Sequence, residues 1–210
     1  MNLEQSLTTD VSEVHDSGVL IALFNDCFKT SHQTLLVAGE GEPIYIPANQ
    51  QQSYHHIEFS YGYFSSALHE IAHWCIAGSE RRLETDYGYW YFPDGRNAEQ
   101  QKAFEKVEIK PQALEWAFSL ACNFKFTNSS DNLSSVPKDA DWAYWSNLQQ
   151  QQAQFVINIK HQLLAWIDTT FPQRAKILID CLSEYYRQSR LITAADVEHS
   201  ELWKRQCQQD

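Results

Sequence analysis

His69 and His73, four residues apart and with Glu70 directly after the first, stand in the apolar run ALHEIAHWCIAG at residues 67–78. On an α-helix such a pair lies on one face, one ring above the other, so both imidazoles can reach a common point. Glu70 is displaced by about 100° around the helix and reaches the edge of the same site. Two nitrogens with a carboxylate beside them form a metal-binding arrangement in which the acid stands close to bound water or substrate. The plain alternative is a pair of core histidines, but so apolar a helix would have to supply both with buried partners.

A catalytic metal of this kind takes a third protein ligand, and the segment AFEKVEIKPQALEW offers Glu105, Glu108 and Glu115. Their spacing puts all three on one face of a continuous helix. Pro111 argues against continuity: proline suits a first helical turn and disrupts an interior, so the sequence predicts a fresh helix from near Lys110. Glu115 lies in the apolar run ALEWAFSLA, where an unpaired carboxylate is costly. Glu108 lies between Val107 and Ile109 and can also be driven inward. The residues alone rank Glu108 and Glu115 close together and Glu105 third. Whichever of the first two is not a ligand can hold a ligating histidine by its other ring nitrogen. Zinc on such a set would hydrolyse an amide with Glu70 as base. Ferrous iron would sit in a facial triad with positions open to oxygen. Spacing identifies ligands rather than the metal, and the local motif by itself favours hydrolysis.

The elements that must position these groups read as mainly α with a small β element, an α+β chain. Helical spacing of Leu20, Leu23, Phe24, Cys27 and Phe28 predicts a first helix over Gly18–Phe28. LLVAGEGEPIYIPA reads as a hairpin or two short strands, and HHIEFS as another. The motif helix runs from about Tyr63 to Ile76, with Gly78 as its stop. A dense aromatic segment, RRLETDYGYWYFPDGR, follows it, and helical character resumes near Asn97. A polar loop at 128–141 precedes helices expected at Trp142–Ile167, Pro172–Tyr186 and Ala194–Lys204. Residues 1–15 read as a flexible segment and 16–210 as one domain.

The 27 acidic side chains outnumber 16 basic ones, for a formal net charge of -11. That balance argues against long-range capture of nucleic acid and favours a cationic partner. Five cysteines without a C-x-x-C pair read as free thiols in a reducing compartment. MNLEQSLTTDVSEVHDSG lacks a signal-peptide pattern, and no apolar run is long enough for a membrane span. A cytoplasmic protein without a membrane partner is therefore expected.

Four blocks, GEPIYIPA, FSYGYFSSALHEIAHWCIAG, RRLETDYGYWYFPDGR and FEKVEIKPQALEW, resemble the elongation factor P hydroxylase family across about residues 39–116. A weaker likeness continues in IALFNDCF and FPQRAKILIDCLSEYY, while the first 15 residues and the polar loop lie outside it. The resemblance implies a helical metallopeptidase-like core rather than a jelly-roll. It implies a monooxygenase that hydroxylates a lysine side chain of elongation factor P after β-lysine has been attached to it. His69, His73 and Glu108 would be ligands of Fe2+, with Zn2+ or another divalent metal able to occupy a purified sample, and O2 would be co-substrate. Glu70 would orient water or oxygen at the metal, or pair with a substrate ammonium, rather than serve as a hydrolytic base.

The resemblance also suggests how a cationic β-lysyl-lysine arm is bound. Asp86 and Asp94 would complement its charge, and Tyr87, Tyr89, Trp90 and Tyr91 would surround its aliphatic part. Tyr61 and Tyr63 would flank the pocket, and Arg81, Arg82 and Arg96 would meet acidic surface on the translation factor. Turn caps, core packing and solvated charge are the respective alternatives. Two other functions stand beside the hydroxylase: a zinc-dependent hydrolase with Glu70 as general base, and a non-catalytic protein-binding module with a structural metal.

Overall fold

Leu20, Phe24 and Phe28 recur every four residues and are fully buried along one face of α1 (Ser17–His32). Asp16 caps the helix by accepting a hydrogen bond from the Val19 N–H, so a local polar contact fixes the start and an apolar stripe fixes the face. The helix extends beyond its expected end at Phe28. The computed structural model describes residues 15–86, 95–130, 132, 136–187, 190–200 and 202–204. Most of the segment expected to be flexible lies outside these residues. His15 at its end is anchored, 2.8 Å from the Cys122 carbonyl and stacked on Tyr186.

Three short strands follow, β1 (Thr34–Ala38), β2 (Ile44–Ile46) and β3 (His55–Phe59). Their order is β1-β3-β2, with β3 parallel to β1 and antiparallel to β2. Of the two readings of LLVAGEGEPIYIPA, the two short strands form and the hairpin does not, because β3 inserts between the two runs. Alternation decides the faces: Ile57 and Phe59 of β3 and Leu36 of β1 turn into the core. The Leu36 N–H donates to Asn25 Oδ1 at 2.9 Å and ties the sheet edge to α1. Among the described residues three strands are too few for a jelly-roll, which needs two sheets.

After β3 the chain reverses through Tyr61 and Gly62, both with positive φ (48° and 71°). Glycine adopts that conformation without steric cost, whereas Tyr61 is strained there. The reversal launches α2 (Phe64–Ile76), buried at Ala67, Leu68, Ile71, Ala72 and Trp74. Its end lies at Ala77, whose N–H bonds back to the His73 carbonyl. Arg174 covers further carbonyls there, donating to Cys75 and Ala77 at 3.1 and 2.6 Å with its guanidinium over Trp74.

The helix carrying the candidate glutamates is a single element, α3 (Ala98–Ala121). The predicted break at Pro111 is thus corrected. Proline removes the N–H that would serve the Val107 carbonyl, but Val107 is 40 % exposed and water can replace that donor. The helix packs against α2, α4 and α5, and every residue from Pro111 to Ser119 is buried. At its start Asn97 accepts from the Glu99 and Gln100 N–H groups, while Gln100 bonds back to the Asn97 N–H. This reciprocal capping box explains why the helix begins there. The fold closes with α4 (Trp142–Asp168), α5 (Gln173–Arg187) and α6 (Ala194–His199). Among the described residues no helix is long and apolar enough to cross a membrane. Cys27, Cys75, Cys122 and Cys181 are free thiols.

Candidate metal centre

Because α2 and α3 pack side by side, the histidine face of one meets the glutamate face of the other. The continuity of α3 puts Glu108, Gln112 and Glu115 on one stripe. His73 Nε2 lies 3.2 Å from His69 Nε2 and 3.4 Å from Glu108 Oε1. His69 Nε2 lies 3.8 Å from Glu108 Oε2. One ligand atom from each of the three residues can be chosen so that all lie within 4.8 Å of one another.

The 3.2 and 3.4 Å separations from His73 Nε2 suit a shared cation, whereas the 3.8 Å from His69 Nε2 to Glu108 Oε2 is wider. Two ligand atoms each about 2.1 Å from a metal stand roughly 3.0–3.4 Å apart for angles between square and tetrahedral. Glu108 supplies a second test, since its side chain is 0 % exposed and Oε1 has no hydrogen-bond partner. His73 Nε2 lies 3.4 Å from that oxygen, longer than an ordinary N–H···O hydrogen bond. An unsatisfied buried acceptor of this kind costs about 1–3 kcal/mol, more when charged, and a cation among the three groups would remove that cost. Nitrogen and carboxylate donors accept both zinc and iron.

Electrostatics point the same way. Glu70, Glu108 and Glu115 are all buried, with two imidazoles among them. Burial works against charge on His69, yet Glu115, helped by Glu70 and Glu108, raises its pKa to about 10. Burial likewise pushes Glu108 upward, but His73, His69 and the Gln112 amide hold it below the ordinary carboxylate value. For Glu70 burial dominates and raises the pKa despite both histidines. The pocket therefore concentrates negative charge beside nitrogen donors, an environment suited to a divalent cation.

Glu115 lies behind His69, its Oε2 2.8 Å from Nδ1, which leaves Nε2 to face the shared point. Glu105 turns elsewhere and accepts a hydrogen bond from Gln101. Gln112, absent from the sequence-level candidates, donates to Glu108 Oε2 at 3.1 Å. Its spacing of four from Glu108 was the available signal, hidden by the expected break at Pro111 between them.

A cavity of about 30 Å³ adjoins the cluster and is lined by Glu70, His73, Tyr45, Arg82 and Asp86 among others. Asp86 pairs with Arg81 and bridges to Tyr45 through the backbone. Tyr61 and Tyr63 are exposed and do not line this cavity. Arg96 is 3 % exposed, bonded to Gln101 and set over Phe104, so it is not the open surface charge that was expected. Tyr87, Tyr89, Trp90, Tyr91 and Asp94 lie outside the described residues. A larger cavity of about 560 Å³ lies between the start of α3 and α4 and contains neither histidine.

Fold and site thus define a mainly helical protein with a part-buried His-His-Glu cluster fitted to a divalent cation. The model of the elongation factor P hydroxylase family matches residues 23–196. The chain is 45 % identical over 172 residues to the elongation factor P lysine hydroxylase of Haemophilus influenzae, across 82 % of this chain and 90 % of that relative. The chain belongs to the elongation factor P hydroxylase family.

Proposed function

We propose that this chain is a metal-dependent monooxygenase that hydroxylates the β-lysylated lysine side chain of elongation factor P in the cytoplasm, with residues 16–210 as its catalytic domain. The observation that carries the reading is the convergence of His69, His73 and Glu108 between α2 and α3 in a member of this family. Ferrous iron held by these three residues would supply oxygen activation and oxidation of an unactivated C–H bond. The protein's part is to hold, orient and exclude water. Glu115 holds His69 at Nδ1 so that Nε2 is the presented nitrogen. Glu108 offers Oε1, the oxygen without a hydrogen-bond partner.

Glu70 lines the adjoining cavity beside His73. Its carboxyl, whose pKa burial raises, can orient water or accept a hydrogen bond from a substrate ammonium. Asp86 is already paired with Arg81, so its use for the cationic arm requires exchange of that partner. Tyr87, Tyr89, Trp90 and Asp94 remain candidates for the walls of the arm's binding site.

The direct test incubates the iron-loaded, reduced protein aerobically with β-lysylated elongation factor P and reads intact mass. A gain of one oxygen atom on the modified lysine is expected. No gain, with iron loading and substrate binding both verified, sinks the reading. The position of Glu70 beside His73 also keeps a zinc hydrolase in view. Peptide cleavage that disappears in Glu70→Gln while metal is retained would establish that second reading.

A further inference from the structure

Gln112 is 0 % exposed and lies one helical turn beyond Glu108. Its Oε1 accepts from the Ser129 N–H at 3.0 Å, and its Nε2 donates to the Ser129 carbonyl at 2.6 Å. The same Nε2 donates to Glu108 Oε2 at 3.1 Å. A flipped amide would oppose its oxygen to the Ser129 carbonyl and the Glu108 carboxylate, and its NH2 to a backbone N–H. All three hydrogen bonds would be lost, so the two backbone groups of Ser129 determine the amide's orientation. Glu108 Oε2 therefore faces a donor that is itself held in place, while Oε1 keeps no hydrogen-bond partner and lies 3.4 Å from His73 Nε2.

We propose that Gln112 is a positioning residue of the metal centre, holding Glu108 Oε2, which lies 3.8 Å from His69 Nε2, so that Oε1 is the oxygen presented to the cation. The inference rests on the reading of His69, His73 and Glu108 as metal ligands. A carboxylate bound through one oxygen takes one coordination position, and through both oxygens it takes two. A site that must admit both oxygen and substrate needs the position saved. Glu115 gives His69 the corresponding support at Nδ1, so two residues of the same α3 stripe fix two ligands from behind.

Co2+ is the probe, because its visible absorption reports coordination number and geometry. Titrations compare the wild-type chain with Gln112→Leu, Gln112→Met and Glu108→Ala, with far-UV circular dichroism confirming the fold. Gln112→Met keeps an unbranched chain of similar length and carries the test if the leucine variant does not fold. The wild type is expected to bind one Co2+, and the Gln112 variants to bind it about 10–100-fold more weakly. Their absorption should also shift towards a higher coordination number as the freed carboxylate closes on the metal through both oxygens. A variant that lost only helix packing would melt earlier but keep the wild-type Co2+ spectrum. Wild-type affinity with a superimposable spectrum in folded Gln112→Met overturns the proposal. Folded wild-type protein that binds no Co2+ overturns the metal reading beneath it, and undiminished binding by Glu108→Ala overturns the ligand assignment.

Discussion

Asp196, in the first turn of α6, and Glu108, in the middle of α3, are both withdrawn from water, with side-chain exposures of 11 % and 0 %. Burial pushes both carboxyls up, and their neighbours bring both below the ordinary value. The difference lies in their oxygens. Asp196 Oδ1 accepts from Arg187 and Arg190 at 3.1 and 2.6 Å, and Oδ2 from the Thr193 N–H and hydroxyl at 2.8 and 2.9 Å. Glu108 has one donor on Oε2 and none on Oε1. A depressed carboxylate pKa therefore does not separate a structural site from a functional one, because both arise from favourable neighbours. The informative quantity is acceptor capacity left open in a dry place.

Glu108→Ala breaks the comparison from the functional side and has the largest expected effect. Loss of a ligand should exceed the ~100-fold that loss of a supporting partner can cost, both in metal affinity and in oxygen transfer. A chelator should lower the melting temperature of metal-loaded wild type and leave that of Glu108→Ala unchanged, since only a protein that binds metal gains stability from it. Equal metal content in the two folded proteins would count against the assignment. Glu115→Ala should come next, weakening metal binding about 10–100-fold by releasing His69 at Nδ1. If metal analysis shows Glu115→Ala to be the more damaging, the roles of the two glutamates are reversed.

How far the sequence carries depends on whether a feature is local. The face shared by His69 and His73 follows from helical spacing within α2. The boundaries of α4 and α5 follow similarly from periodicity and from Pro172 before α5. The order β1-β3-β2 is not local, since it depends on which strand each edge meets after the intervening loops. Pro111 misleads because its helix-breaking cost is real locally but is outweighed by burial of the following turns, in a helix packed against α2, α4 and α5. That error concealed Gln112 and left Glu108 and Glu115 nearly tied. Continuity shows instead that the two occupy different sides of the histidine pair. The support from Arg174 at the end of α2 joins residues 97 and 99 positions apart, without a local pattern to announce it.

Asp196→Asn probes the satisfied cluster. It deprives Arg187, whose side chain is 5 % exposed, of its anionic partner, and should cost about 1–3 kcal/mol of stability without changing oxygen transfer per folded molecule. The sign with pH follows from the lowered folded-state pKa. The contribution of Asp196 is fully present above its ordinary value of 3.8 and is lost as pH falls through the lower folded value. Denaturant titrations should therefore show a constant gap between wild type and variant near neutrality, narrowing only in strong acid. A gap that opens on acidification would contradict this account.

Arg190→Ala is the smallest perturbation and the sharpest use of the same cluster. Arg187 and Arg190 donate to the same Asp196 oxygen, and by distance the Arg190 contact is the closer. Distance is nevertheless a poor guide to its worth, since the Arg190 side chain is 66 % exposed and exchanges with water what it gains from the carboxylate. Such a pair typically contributes only about 0–1 kcal/mol and is screened by salt. Arg187 also donates to the Leu120 carbonyl at 3.0 Å, tying this cluster to the end of α3. Arg190→Ala should thus move the denaturation midpoint slightly, less at high salt, and by less than Asp196→Asn. If it matches the aspartate variant, the cluster's stability comes from its exposed cation, and burial is not what makes Asp196 structural.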